Sequence, residues 1–240
     1  MKNKNDSITR QNLTEIMSQN NIDNPGKLKR IDGNYIIHEI THVLHFEKGI
    51  FYTIRELLTK PGETVRIFIT KDRSRIVKPI IFIIVTSLTY TIVSHYFHVE
   101  DKYITFSDDK PSTIGKIFKW IGANYGYSNI IMAMFIAFWA KIFFKKFDYN
   151  FFEILILLCF VMGIGMLIFA VFAIFQGLTH VDLMQVASFV SFGYATWAIG
   201  QFFDKTKFVS YFKAFASYFL GFFTFAAAAI LLGILIDFIP

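Results

Sequence analysis

The segment His38-Glu39-Ile40-Thr41-His42 carries the clearest catalytic pattern in the sequence. Histidines four residues apart lie on one face of a helix, so both imidazoles can bind one zinc ion, and the intervening glutamate can activate a zinc-bound water. His45 falls on the same face, three residues after His42. The pattern therefore indicates either a zinc-dependent hydrolase that uses Glu39 or a noncatalytic metal site formed by His38, His42 and His45.

The same spacing also fits the polar face of an amphipathic helix. At about 100° per residue, Ile36, Ile40 and Val43 form an apolar stripe roughly opposite the histidines. Residues 43–48 read VLHFEK, so the Gly and third His of the extended metzincin motif are missing, and the motif precedes every run that could cross a membrane. We therefore favour a noncatalytic protein without a cofactor and keep zinc as the alternative.

The sequence is mostly apolar from Val77 to the carboxyl terminus. The chain has 240 residues, of which 54% are hydrophobic, and a helix needs about 20 apolar residues to cross a bilayer. Five runs approach or exceed that length, at residues 77–97, 127–144, 151–177, 181–203 and 211–239. The sequence therefore predicts an all-α polytopic membrane helical bundle with five transmembrane helices.

Three parts follow from the distribution of apolar residues. Residues 1–33 are polar, lack the apolar core of a secretory signal peptide and predict a flexible segment. Residues 34–76 predict cytoplasmic amphipathic helices that lie at the membrane surface, interrupted by a turn at Pro61-Gly62. Residues 77–240 predict the five-span transmembrane domain.

Two local patterns refine these parts. Thr53 and Glu56 have the spacing of a capping box, which places a helix start at Thr53. A second interfacial helix is predicted before the second span, because one helical face collects four apolar residues: Ile114, Ile117, Phe118 and Ile121. The alternative is that these residues begin a long second span.

Lys and Arg predict the orientation of the spans. With a cytoplasmic amino terminus, 20 of the 24 Lys and Arg residues lie inside. The four outside are Lys102, Lys110, Lys116 and Lys119. Cytoplasmic flanks are rich in Lys and Arg, so we predict a bacterial inner-membrane protein with its amino terminus in the cytoplasm and its carboxyl terminus outside. The same bias explains the net charge of +6 without a nucleic-acid partner.

Polar residues near the predicted span ends form two candidate sites. A basic run before the first span predicts contacts with lipid headgroups, through Lys71, Arg73, Arg75 and Lys78. A polar cluster is predicted on the outer side from His95, His98, His180, Asp182 and Asp237. That cluster fits either a proton or metal site of a small transporter or channel, or ordinary helix ends in the headgroup region.

One stretch of the chain resembles a known family. Residues 46–66 read FEKGIFYTIRELLTKPGETVR and are followed by Arg73, Arg75 and Lys78-Pro79. The stretch resembles an uncharacterised family of Bacteroidota inner-membrane proteins that share G-x-x-Y-T-x-x-E-L-L-x-x-P-G and then R-x-R-x-x-K-P. The resemblance covers residues 38–90 and implies a bacterial inner-membrane protein without an assigned catalytic residue. Many relatives carry an amino-terminal zinc ribbon, whereas this chain has one cysteine, Cys159.

Together these features favour a noncatalytic membrane protein that acts through lipid or protein contacts. Its partners would be membrane lipids and other membrane proteins or a second copy of the chain. The expected working surface is the amphipathic segment, with five side chains near the headgroups: Tyr52, Thr53, Arg55, Glu56 and Arg66. The alternatives are the small transporter or channel that uses the outer cluster and the zinc-dependent membrane hydrolase that uses residues 38–42.

Overall fold

The computed structural model describes residues 49–99 and 113–238, and within these ranges every regular element is an α-helix. The helices are α1 Ile50–Thr59, α2 Pro61–Thr70, α3 Pro79–Tyr96, α4 Thr113–Ala123, α5 Tyr125–Phe143, α6 Phe151–Thr179, α7 Met184–Asp204 and α8 Phe208–Phe238. The all-α prediction is confirmed for this part of the chain. The amino-terminal segment 1–33 and the histidine motif at residues 38–42 lie outside the described residues.

Four helices are long and apolar enough to cross a membrane, namely α3, α5, α6 and α8. They match four of the five predicted runs to within three residues at each end. The chain is therefore compatible with a multi-pass membrane protein. The remaining run corresponds to α7, which is 21 residues long but is interrupted by polar side chains such as Gln185, Ser191 and Gln201.

Helix α6 lies at the centre of the helical bundle and contacts α1, α2, α3, α5 and α7. The Asn150 side chain accepts a hydrogen bond from the Glu153 backbone, and the Glu153 carboxylate accepts one from the Asn150 backbone, which forms a capping box at the start of the helix. The helix is apolar on all sides, which is typical of a helix surrounded by protein. Every residue from Glu153 to Met166 is buried.

Helix α3 is shorter than α6, and α1 and α2 fill the space that this leaves. Phe82, near the start of α3, contacts α6 at Gly163, where an added methyl carbon would lie 2.6 Å from the phenyl ring. The first two turns of α6 therefore extend beyond the start of α3. Leu57 and Phe68 pack in the same core as this part of α6, and the rings of Phe68 and Phe160 meet edge to face at 5.5 Å.

This packing adds to the expectation for residues 34–76, of which the structure describes residues 49–76. We predicted amphipathic helices at the membrane surface. In the structure, Leu57 of α1 and Val65, Phe68 and Ile69 of α2 are buried against other helices. Helix α6 is apolar on all sides, so α1 and α2 bury the part of its surface that α3 does not reach.

Helices α4 and α5 pack along α8. Asn124 alone separates α4 from α5. At one end, Ile114 packs on Gly233 and Thr113 donates a hydrogen bond to Asp237. The predicted short helix at residues 114–121 is thus present as α4, and it is separate from the second span.

Candidate functional site

Helix α1 begins at a glycine. Gly49 is the amino-terminal cap and has a φ of 94°, a left-handed conformation that side chains disfavour. No side chain caps the helix, and the predicted capping box at Thr53 and Glu56 is therefore wrong. Both side chains instead bind the segment that leads into α3.

Thr53 joins α1 to the entrance of α3. Its side chain is fully buried, and its hydroxyl oxygen accepts a hydrogen bond from the backbone N–H of Val77 at 3.0 Å. Val77 precedes Lys78, the amino-terminal cap of α3. Because Thr53 is buried, it cannot face lipid headgroups, and the expectation that it does so is wrong.

Arg75 makes the second connection between the two segments. Its Nε–H donates a hydrogen bond to the Tyr52 hydroxyl at 2.8 Å, and its Nη2 lies 3.4 Å from a Glu56 carboxylate oxygen. The guanidinium carbon also lies 5.8 Å from the centre of the Tyr52 ring. The hydrogen bond to Tyr52 raises the pKa of Arg75 above its ordinary value.

A tight turn orients the segment that carries Arg75. An Asp72 carboxylate oxygen accepts hydrogen bonds from the backbone N–H of Ser74 at 2.8 Å and from its hydroxyl at 2.7 Å. These bonds hold the pKa of Asp72 below its ordinary value. We name α1, α2 and residues 71–78 together the clasp, because the two ends of this unit hold each other through Tyr52, Thr53 and Glu56.

The clasp docks on α7 by close backbone contact at Gly62. A methyl group at this position would overlap the backbone of Gln201 and lie 2.6 Å from the nitrogen of Phe202. Only glycine permits this approach. The Tyr194 hydroxyl makes a second contact, donating a hydrogen bond to the Leu57 carbonyl at 3.0 Å.

Arg66 binds the carboxyl-terminal turn of α7. One guanidinium nitrogen lies 2.7 Å from the carbonyl oxygens of both Gln201 and Phe202. The last carbonyls of a helix have no partner within the helix and carry partial negative charge. A half-buried arginine at this position satisfies two of them and complements the helix dipole.

Positive charge is concentrated at the end of the bundle that carries the clasp. Here α3, α6 and α8 begin and α5 and α7 end, and the Phe144 and Phe203 rings stack at 3.8 Å between two of these helix ends. Of the 15 described Lys and Arg residues, all but Lys116 and Lys119 lie at this end. Six of the eight described Asp and Glu residues lie there as well, so the basic residues are in excess. We call it the basic end.

The four predicted headgroup-binding residues differ in their environments. Lys71 is exposed, Arg73 and Lys78 are half-buried, and Arg75 is exposed but bound to Tyr52 and Glu56. All four belong to the clasp. The structure therefore brings them together at one end of the bundle and gives Arg75 a structural partner that the sequence pattern did not indicate.

The predicted outer cluster lies at the opposite end of the helices. All five of its residues are exposed: His95, His98, His180, Asp182 and Asp237. Asp237 accepts a hydrogen bond from Thr113, and Asp182 accepts one from the backbone of Met184 at 3.3 Å. Across residues 49–99 and 113–238, no three His, Cys, Asp or Glu side chains form a group that could hold a metal ion.

The candidate metal residues of the histidine motif are not described. His38, Glu39, His42 and His45 all precede Gly49, where the described part of the chain begins. The zinc hypotheses therefore stay predictions from the sequence alone.

Sequence reasoning missed the contacts between the clasp and α7. Arg66 was expected near lipid headgroups. Its position within the apolar run Val65–Ile69 could have indicated that it binds a partner inside the protein. Tyr194 had no such signal, because a tyrosine inside a predicted span is common near membrane interfaces.

The chain is similar to one protein family over the clasp. The family model described as a protein of unknown function (DUF3667) matches residues 47–91, which cover the clasp and most of α3. No curated protein and no solved structure matches the chain. The matched region is thus the clasp together with most of the helix that it leads into.

Proposed function

We propose that the chain is a noncatalytic, five-span protein of the bacterial inner membrane that acts through lipid or protein contacts at its basic end. Its amino terminus would lie in the cytoplasm and its carboxyl terminus outside. The observation that carries the proposal is the clasp, a unit docked on α7 that holds Lys71, Arg73, Arg75 and Lys78 at the basic end. The match to a family of unknown function is consistent with this role.

The connections of α7 support five crossings instead of four. Four residues join α6 to α7 and three join α7 to α8, and α7 packs along both neighbours. Such short links require α7 to run antiparallel to both, from the outer end to the basic end. With 21 residues it is about 31 Å long, which is sufficient to cross the hydrocarbon core.

The lower hydropathy of α7 fits this position in the bundle. Ser191 lies against Gly165 of α6, so a polar group of α7 faces protein and not lipid. A span that is surrounded by other helices tolerates polar side chains better than one that faces lipid.

The charge distribution supports the orientation. The basic end holds 13 of the 15 described Lys and Arg residues. Under the positive-inside rule, this end faces the cytoplasm. The basic side chains of residues 71–78 would then lie beside the anionic headgroups of the inner leaflet, as the sequence predicts.

Cysteine labelling tests this arrangement. The background is Cys159→Ser, because the only cysteine of the chain is buried in α6. Lys205→Cys and His180→Cys place single thiols at exposed positions on the two sides of α7. In intact cells, a membrane-impermeant maleimide should label the thiol at position 180 and should label the thiol at position 205 only after the cells are permeabilised.

A different labelling pattern would contradict the proposed topology. If the reagent labels both positions in intact cells, α7 does not cross the membrane and the five-span proposal fails. Lys146→Cys is the matched control, because a cytoplasmic loop before α6 should resist labelling in either case.

A further inference from the structure

Helix α1 has an exposed apolar face that is separate from the face bound to the bundle. Phe51 is 84% exposed and Leu58 is 48% exposed. These residues are seven apart, so they share one side of the helix, with the exposed Arg55 between them. Thr53 and Leu57, on the other side, are buried.

The start of α8 repeats this combination at the same end of the bundle. Phe208 is 82% exposed and Phe212 is 66% exposed, next to the exposed Lys205 and Lys207. Bulky apolar side chains flanked by basic ones are typical of helices in the interface of an anionic membrane. The α1 face therefore occurs at the same end of the bundle as another helix that presents Phe beside basic residues.

We propose that the exposed face of α1 inserts into the anionic cytoplasmic leaflet, with Phe51 and Leu58 among the acyl chains and Arg55 at the phosphates. This inference rests on the proposed function, since it needs the basic end to face the cytoplasm. It deepens that proposal by naming lipid as the occupant and by identifying the residues that contact it.

Two observations favour lipid over a protein partner. The excess of Lys and Arg at the basic end complements the negative charge of the cytoplasmic leaflet. The exposed residues of α1 are also large and apolar, as are the exposed residues of the spans, such as Ile84 and Leu88 of α3. A lipid surface covers both without a further assumption.

Site-directed fluorescence tests the insertion of α1. In the Cys159→Ser background, Phe51→Cys is labelled with an environment-sensitive nitrobenzoxadiazole dye and reconstituted into vesicles that contain phosphatidylglycerol. The matched control is Lys146→Cys, an exposed site in a loop at the same end. Quenching is measured with a spin label on the lipid acyl chain and, separately, with iodide in the water.

The dye at position 51 should emit at shorter wavelength than the control and should be quenched about twofold or more strongly by the lipid-borne spin label. Replacement of phosphatidylglycerol by phosphatidylcholine should reduce this difference. Equal quenching in both lipids would overturn the anionic part of the proposal.

Two results would overturn insertion itself. Iodide quenching equal to that of the control would place the face in water, and a blue shift without lipid quenching would place it against protein, including a second copy. Maleimide labelling of Lys205→Cys in the same vesicles reports the orientation of the protein independently of α1. It therefore distinguishes a failure of α1 to insert from a failure of the proposed topology.

Discussion

The Nε–H of Arg75 donates a hydrogen bond to the hydroxyl oxygen of Tyr52 at 2.8 Å, which joins the two sequence patterns of the clasp. Tyr52 belongs to the G-x-x-Y-T-x-x-E segment and Arg75 to the R-x-R-x-x-K-P segment. Thr53 and Glu56 of the first pattern bind Val77 and Arg75 of the second. The spacing of these residues therefore has a structural reason, since they close the clasp just before α3.

Replacement of Thr53 by valine should destabilise the protein. Valine has a similar shape but leaves the N–H of Val77 without its acceptor, and a buried unsatisfied donor costs about 1–3 kcal/mol. The effect is measured as the change in melting temperature in detergent, with a probe that does not react with cysteine thiols. The control is Thr59→Val, an exposed position whose hydroxyl bonds only within its own helix, and an equal loss there would argue against the role of Thr53.

Replacement of Gly62 by alanine should separate the clasp from α7. The added methyl group overlaps the Gln201 backbone, which cannot move as a flexible side chain would, and such overpacking costs about 1–3 kcal/mol. Gly193→Ala is the control, because no atom lies within 4 Å of its added methyl group and alanine favours a helix. We expect a lower melting temperature for the first variant and an unchanged or higher one for the second.

Substitution of Arg66 by lysine should weaken the contact with α7 although the charge is kept. A lysine ammonium is more strongly hydrated than a guanidinium and ends a shorter, flexible side chain, so it should hold the two carbonyl oxygens less well, and we expect a loss of about 1 kcal/mol, reduced by the partial exposure of the site. Arg55→Lys, on the exposed face of α1, should leave the melting temperature unchanged. Equal melting temperatures for the two variants would contradict the proposed capping of α7.

Asn129 offers a prediction of opposite sign. Its side chain is 5% exposed, and its Nδ2 has no hydrogen-bond partner among the described residues. Asn129→Leu removes this buried donor, keeps the number and branching of the side-chain heavy atoms, and should raise stability by about 1 kcal/mol. Asn150→Ala, which deletes the cap of α6, should instead lower it by about 0.5–2 kcal/mol. A loss of stability in the leucine variant would show that the amide has a partner in the native protein.

The histidine motif can be tested by metal analysis. If residues 38–42 form only the polar face of a helix, tag-free purified protein should contain far less than stoichiometric zinc. Zinc bound in a one-to-one ratio and lost in His42→Ala would contradict that interpretation and would justify an activity test of Glu39→Gln. Circular dichroism of both proteins serves as the folding control.

Periodicity and length located the elements well but not their contacts. The bounds of α3, α5, α6, α7 and α8 follow from runs of apolar residues, a signal that lies within each segment. The docking of Arg66 and Tyr194 depends on residues about 135 positions away in the chain, which no local pattern reveals. Thr53 was misassigned because its spacing to Glu56 also fits a capping box, while the left-handed Gly49 had already started the helix.

The position of the carboxyl terminus tests the central claim most directly, because an odd number of spans places it opposite the amino terminus. A short epitope after Pro240 can be detected by antibody on osmotically opened cells, with and without disruption of the inner membrane. The five-span arrangement predicts detection while the inner membrane is intact. Detection only after that membrane is disrupted would contradict it, because α7 would then not cross and the carboxyl terminus would share the cytoplasm with the clasp.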